Sequence, residues 1–327
     1  MLRRILLLAG AVLLVVLLWQ LGPLDVVNSL RRIGWYFVPV FLLGGAHHAT
    51  RAYALRGCVL RPHLLRYSDA LWIRLSGEAV QSLTFTGPVV AEPTKAWLLE
   101  DHGLSLKEGF AATLTEYLIC SFVTAAMSIA GLLYLVLHFA PASVVRSLAI
   151  GTVGLFSVFL IASAVAIARR FYLIGTIIAR LAHIGVLRGR LRPDMQWINR
   201  MEDQLLIILR DSPARLVTIT IIEVAAQGLL VLELFWLMRA LEMTASVSLA
   251  FVIEASVKVI GIAFLFIPMQ VGVSEGAYAL VFNAVGLSPA AGFALAFLRR
   301  ARTLGVAGVG LTTLAVLTRH RERRPAR

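Results

Sequence analysis

The chain has 327 residues, of which 59% are hydrophobic and only 15% charged, and it carries a formal net charge of +13. A soluble domain is about half apolar and about a quarter charged, so this composition excludes an ordinary soluble enzyme or binding module and indicates a chain made for lipid. The basic residues gather beside apolar runs and form no basic soluble module, which excludes nucleic acid as a partner.

Uncharged or sparsely charged runs cover residues 5–21, 34–49, 118–140, 147–168, 216–238 and 303–317. Each approaches or exceeds the roughly 20 residues that cross about 30 Å of hydrocarbon. Only helices or closed barrels cross a bilayer, and these runs lack the alternation of barrel strands, so they predict an all-α, polytopic membrane helical bundle. The start, MLRRILLLAGAVLLVVLLWQLG, has the basic-then-apolar form of a secretory signal. Its long apolar run, with no small-x-small site after it, predicts an uncleaved first helix instead. Arg3 and Arg4 then place the N-terminus in the cytoplasm.

Further along, residues 56–74 carry four arginines against one acid, residues 169–215 carry nine, and the tail RHRERRPAR carries five. Cytoplasmic flanks collect arginine and lysine, so these three regions are expected in the cytoplasm beside anionic lipid. Cys58 and Cys120 have no Cys or His partner at metal-ligand spacing and are read as small packing residues. Between the basic regions, MQWINRMEDQLLIIL puts Trp197, Met201, Leu205 and Ile208 on one helical face, away from Arg200, Glu202 and Asp203. Such a helix either lies in the cytoplasmic interface or packs on the end of the bundle.

Two stretches interrupt the apolar pattern. TFTGPVVAEPTKAWLLEDHGLSLKEGFA begins at Thr84, and VGVSEGAYALVFNAVGLSPAAGFALAF begins at Val271. A constant offset of 183 residues aligns Val90 with Val273, Glu92 with Glu275, Ala96 with Ala279, and the pattern GLS-x-x-x-GFA with itself, giving nine identities in 22 positions. A shared glutamate and a nine-residue pattern are hard to obtain from apolar composition alone, so the chain is read as duplicated, with a first repeat at 34–168 and a second at 215–318. Residues 169–213 are read as a cytoplasmic basic and interfacial segment, all within one membrane domain spanning 1–327.

Paired broken segments in two halves point to a transporter's binding site, because irregular backbone at membrane depth is tolerated only where it is buried in protein or lines a cavity. Seven crossings are expected at 4–21, 34–55, 109–138, 147–168, 215–238, 246–267 and 289–318. With the N-terminus inside, an eighth at 269–285 would return the basic tail to the cytoplasm, and the repeat would be inverted.

Charges at membrane depth cost about 2.5 to 3.5 kcal/mol each on insertion scales. Glu78, Glu92 and Lys95 surround the first break, and Glu254, Lys258 and Glu275 the second. They either border a cavity or neutralise one another as cross-links. Arg299 aligns with Glu116, so a cross-repeat ion pair is conceivable, as is snorkelling of the arginines to an interface. No nucleotide, metalloprotease or serine-hydrolase motif occurs. The adjacent His47 and His48 cannot put both rings on one face, and Ser274 beside Glu275 is a weak nucleophile signal. The chain is therefore not expected to be an enzyme, and neither a cofactor nor a metal is expected.

RLSGEAVQSLTFTGPVVAEPTKAWLL and IPMQVGVSEGAYALVFNAVGLSPAAGFALAFLRRARTL resemble the two signature regions of the flippase-like transmembrane domain of lysylphosphatidylglycerol synthases. The resemblance implies that Glu78, Glu92, Lys95, Pro268, Gly272 and Glu275 line a lipid path. Gln81 stands where asparagine is usual, and GPVVAEPTK lacks the paired glycines of most members. This wording looks more like the branch associated with hopanoid biosynthesis. The soluble aminoacyl-transferase domain of the full synthases is not expected in this chain. The resemblance and the residues together predict a lipid transporter or flippase that moves a hopanoid or polar-headed lipid across or out of the inner membrane. Its partners would be membrane lipids and lipid-biosynthesis or export proteins, with homo-oligomerisation left open. A non-transporting scaffold of a lipid-biosynthesis complex is the rival, and an intramembrane enzyme a more distant one.

Overall fold

The computed structural model describes residues 34–84, 87–172, 175–178, 180, 194–265 and 267–323. Its α-helices are α1 (Phe37–Cys58), α2 (Tyr67–Leu83), α3 (Pro88–Leu99), α4 (Leu106–His138), α5 (Ser143–Ala168), α6 (Met195–Leu209), α7 (Pro213–Ala240), α8 (Val247–Ala263), α9 (Val273–Ala284) and α10 (Pro289–Arg323). No strand occurs among the described residues. The all-α architecture is as expected, and four helices, α4, α5, α7 and α10, are long and apolar enough to cross a membrane. The expected crossing at 4–21 lies outside the described residues. Those expected at 34–55 and 246–267 coincide with α1 and α8, which do not reach the same length and hydropathy. For α1 the cause is the polar run His47, His48 and Arg51; α8 has 17 residues and rises only about 25 Å.

Helix boundaries have local causes. The Ser105 hydroxyl accepts the Glu108 amide at 3.3 Å while the Glu108 carboxylate accepts the Ser105 amide at 2.8 Å, a capping box that starts α4. Asp194 caps α6 and Ser246 caps α8 in the same sense. Pro88, Pro213 and Pro289 open α3, α7 and α10, where a missing amide hydrogen costs nothing.

The order helix, helix, half-helix, long helix occurs twice, as α1–α4 and as α7–α10. Pairing obeys the same plan: α1 lies along α7, α2 packs on α10 while α8 packs on α4, and α3 and α9 each pack on the next long helix. The shared phrase GLS-x-x-x-GFA builds the corner between half-helix and long helix. Gly103 and Gly286 adopt φ of 78° and 80°, the left-handed turn that ends a helix and suits glycine. Six residues later, a Cβ on Gly109 would come 2.7 Å from the Ala96 carbonyl oxygen, and one on Gly292 would come 2.7 Å from that of Tyr278. Each half-helix therefore presses its backbone against the next helix at a residue with no side chain.

The breaks also correspond. α2 stops at Leu83 and α3 restarts after Gly87, whose φ is 46°. α8 stops at Ala263 and α9 restarts after Met269, Gln270 and Gly272, with φ of 53°, 49° and 79°. Gln270 occupies the place of Gly87 under the 183-residue offset. A left-handed backbone at a residue with a Cβ costs about 1–2 kcal/mol, and here two hydrogen bonds hold it. The Gln270 side-chain amide donates to the Gly261 carbonyl at 2.9 Å, and Arg300 donates to the Gln270 carbonyl at 3.1 Å.

Of the two expectations for α6, packing on the bundle is observed. Ile198, Met201, Leu205, Ile208 and Leu209 are buried, α6 lies against α4, and Trp197 meets Phe110 edge-on at 5.8 Å. α5 is the opposite case: only Ala149 is buried, and Val144, Leu148, Leu155, Val158, Ile161 and Val165 are exposed. A helix that is apolar all round yet uncovered by protein is a membrane-facing helix.

Candidate functional site

Two networks of buried charge occupy the interior. In the first, Lys95 on α3 reaches across α2 at Gly77, where a Cβ would come 2.5 Å from the lysine chain. Its Nζ lies 2.8 Å from Glu92 Oε2 and 3.0 Å from Glu116 Oε2. Glu116 on α4 also pairs with Arg51 of α1 at 2.5 Å and Arg74 of α2 at 3.7 Å. Arg51 continues to Glu223 of α7 at 3.3 Å, and Arg74 to Glu78 at 3.0 Å. Both Lys95 and Glu116 are 0% exposed, so the centre of this network is a closed cross-link of α1, α2, α3, α4 and α7, and Glu78 at its edge is the more open member.

The second network has Arg299 at its centre, the residue equivalent to Glu116. Arg299 pairs with Glu254 of α8, bonds the Tyr278 hydroxyl, and lies 3.4 Å from Glu233 of α7. Tyr278 is the equivalent of Lys95, so the half-helix touches the long helix at the same register in both halves, with the charge of the centre reversed. Arg302 pairs with Glu233 at 2.6 Å, Arg300 with Glu275 at 2.5 Å, and Lys258 with Glu254 at 3.4 Å. Gln227 of α7 accepts a hydrogen bond from Lys258.

The first network sets Arg51, Arg74 and Lys95 against Glu78, Glu92, Glu116 and Glu223, leaving one carboxylate in excess. The second sets Lys258, Arg299, Arg300 and Arg302 against Glu233, Glu254 and Glu275, leaving one cation in excess. The cross-repeat pair between Glu116 and Arg299 is not formed. Each instead recruits partners of opposite sign, because a buried charge left unpaired costs several kcal/mol.

A cavity of about 390 Å³ opens on the second network. Glu78, Gln81 and Ser82 of α2 form one wall. Glu254, Lys258, Arg299, Arg300 and Arg302 form the other, and Met269, Gln270 and Ser274 border it from the second break. Of the residues singled out in the sequence, Glu78, Glu254 and Lys258 line this cavity. Glu275 lies behind the wall, paired to the lining residue Arg300, and neither Pro268 nor Gly272 lines it. Glu92 and Lys95 are packed into the first network, away from it. Among the described residues no cluster of three His, Cys, Asp or Glu could hold a metal ion.

The family described as the lysylphosphatidylglycerol synthase TM region matches residues 4–310. The chain belongs to that family. It is thus a multi-pass membrane protein of a family related to lipid handling, with the paired half-helices and the charged cavity inside the matched region. Neither the comparison with curated proteins nor that with solved structures finds a match.

Sequence reasoning misses several residues of this lysylphosphatidylglycerol synthase TM region. Glu223 and Glu233 are isolated acids within the run 216–238, and Gln227 stands between them. Isolated acids inside an apolar run are themselves a signal, since a membrane helix retains them only against a partner. Arg51 is visible beside the histidine pair, but its partners lie 65 and 172 residues away.

Proposed function

We propose that this protein binds the polar head of an amphiphilic lipid in the cavity between α2 and α8–α10 and moves the lipid between leaflets or toward an exporter. The observation that carries this reading is the charged lining of the cavity, where Lys258, Arg299, Arg300 and Arg302 stand against Glu78 and Glu254 at a break in the helix pattern. A phosphate or carboxylate head would meet the lining arginines, which match such heads with paired hydrogen bonds. Ser274, in the first turn of α9, adds a hydroxyl beside it.

The proposed setting is a bacterial inner membrane with the N-terminus in the cytoplasm. An eighth crossing at 269–285 would make the two half-helices inverted elements, with breaks that meet at membrane depth. Gly87 and Leu265 support the meeting: a Cβ on Gly87 would lie 3.7 Å from the Leu265 carbonyl oxygen. The hopanoid assignment rests on the wording of the first broken region, whereas the charged wall favours a phosphate-bearing head over a lone hydroxyl.

Leaflet exchange in reconstituted vesicles tests the proposal. With head-labelled phosphatidylglycerol in phosphatidylethanolamine vesicles, the wild-type chain is expected to accelerate exchange, and Arg300→Gln to slow it by about tenfold or more, the worth of one charge-assisted hydrogen bond. Exchange of a hopanoid but not of phosphatidylglycerol would move the assignment to hopanoids. Absence of exchange for both lipids in the wild type would favour the scaffold.

A further inference from the structure

A second cavity, of about 540 Å³, lies between α4, α5, α7 and α8, lined by Phe122, Val123, Met127, Leu160, Val231 and Phe251. Its surface is almost wholly apolar, and the larger of its two polar liners is Gln227. Gln227 is buried and bonded on its far side: its Nε2 lies 3.3 Å from Thr124 Oγ1, and its Oε1 accepts from Lys258. Thr124 and Lys258 line the charged cavity. A single layer of hydrogen-bonded side chains therefore separates a charged chamber from an apolar one.

We infer that the apolar chamber holds an acyl chain of the same lipid whose head enters the charged cavity, and that Gln227 with Thr124 and Lys258 forms the partition at which head and chain divide. The inference rests on the lipid-head reading above and adds where the chain goes. Three features carry it. The two chambers share a wall, so one amphiphile reaches both. The partition is amphipathic in the required sense, presenting the Lys258 ammonium to one side and the flank of Gln227 to the other. The outer wall is α5, which supplies Leu160 and buries only Ala149, so it is the wall least held by protein and the natural side for a chain to enter from the bilayer.

Gly228 gives the test. It lines the apolar chamber, and a Cβ built on it meets nothing within 4 Å, so a larger side chain there grows into the chamber without displacing the fold. The probe is phosphatidylglycerol bearing a photoactivatable diazirine at the end of one acyl chain, in phosphatidylethanolamine vesicles holding the full chain, with labelled residues located by mass spectrometry. Label is expected on Val123 and Val231, both buried from the bilayer. Gly228→Phe should lower that label by about tenfold, as should Val224→Trp, which fills the chamber from a different turn of α7, while Gly228→Ala keeps it. Lys258→Met, altered on the far side of the partition, should lower it as well.

No label on Val123 and Val231 in the wild type overturns the inference. So does label that Lys258→Met leaves unchanged, because the chamber would then be filled by bulk bilayer chains regardless of the head. Leaflet exchange measured in parallel separates the two proposals. Label that depends on both Gly228 and Lys258 without any exchange keeps the chain site and removes the transport reading. Normal exchange in Gly228→Phe and Val224→Trp keeps transport and removes the chain site from it.

Discussion

The two broken segments share a backbone and differ in what they enclose. At the first, Lys95 lies across Gly77 and closes the space around Glu116 with cations from three helices. At the second, the equivalent of Lys95 is Tyr278, the equivalent of Glu116 is Arg299, and a cavity remains beside them. The corners that set each half-helix are glycines and a serine acting through backbone geometry, and they survive in both halves. The interior charges act through partners, and a change of sign at one position is accommodated if its neighbours change too. One copy of the element became a closed cross-link, the other the wall of a chamber.

The largest expected effect breaks the closed copy. Glu116→Leu removes the carboxylate shared by Arg51, Arg74 and Lys95, and stranding buried charge costs about 3–5 kcal/mol. Thermal unfolding in detergent micelles should show it as a large fall in midpoint, and an unchanged midpoint would mean that the first network is wet. A smaller effect tests whether the corners are equivalent. Gly109→Val and Gly292→Val each drive a side chain into a carbonyl 2.7 Å from the new Cβ, with about 1–3 kcal/mol expected for such overpacking. Similar losses in the two variants sharpen the comparison, whereas a loss confined to one denies that the copies are built alike. Smallest is the left-handed turn: Gly103→Ala and Gly286→Ala, at φ of 78° and 80°, should each cost about 1–2 kcal/mol, read from the same unfolding curves.

Much of this plan is legible in the chain itself. GLS-x-x-x-GFA predicts a duplicated opening of a long helix, and its glycines and serine act within a few residues of where they stand, which is why the signal is local. The charges flanking the breaks stand out against the apolar runs, and Glu78, Glu254 and Lys258 do border the cavity. Which charges cross-link and which line space is not legible, because it depends on helices far apart in sequence. Glu233 meets Arg302 across 69 residues and Lys95 meets Glu116 across 21, and no periodicity encodes either approach. Gln227 escapes notice for the same reason: its importance comes from Lys258 and Thr124, not from its own run.

Helix α7 supplies Glu223 to the first network and Glu233 to the second, with Gln227 between them. Ten residues of α-helix form a rod of about 15 Å, too stiff for one end to slide or turn while the other stays put. Any displacement that drew Glu233 away from Arg302 would therefore be felt by Glu223 at Arg51. A single piece of backbone thus joins the closed half to the open one.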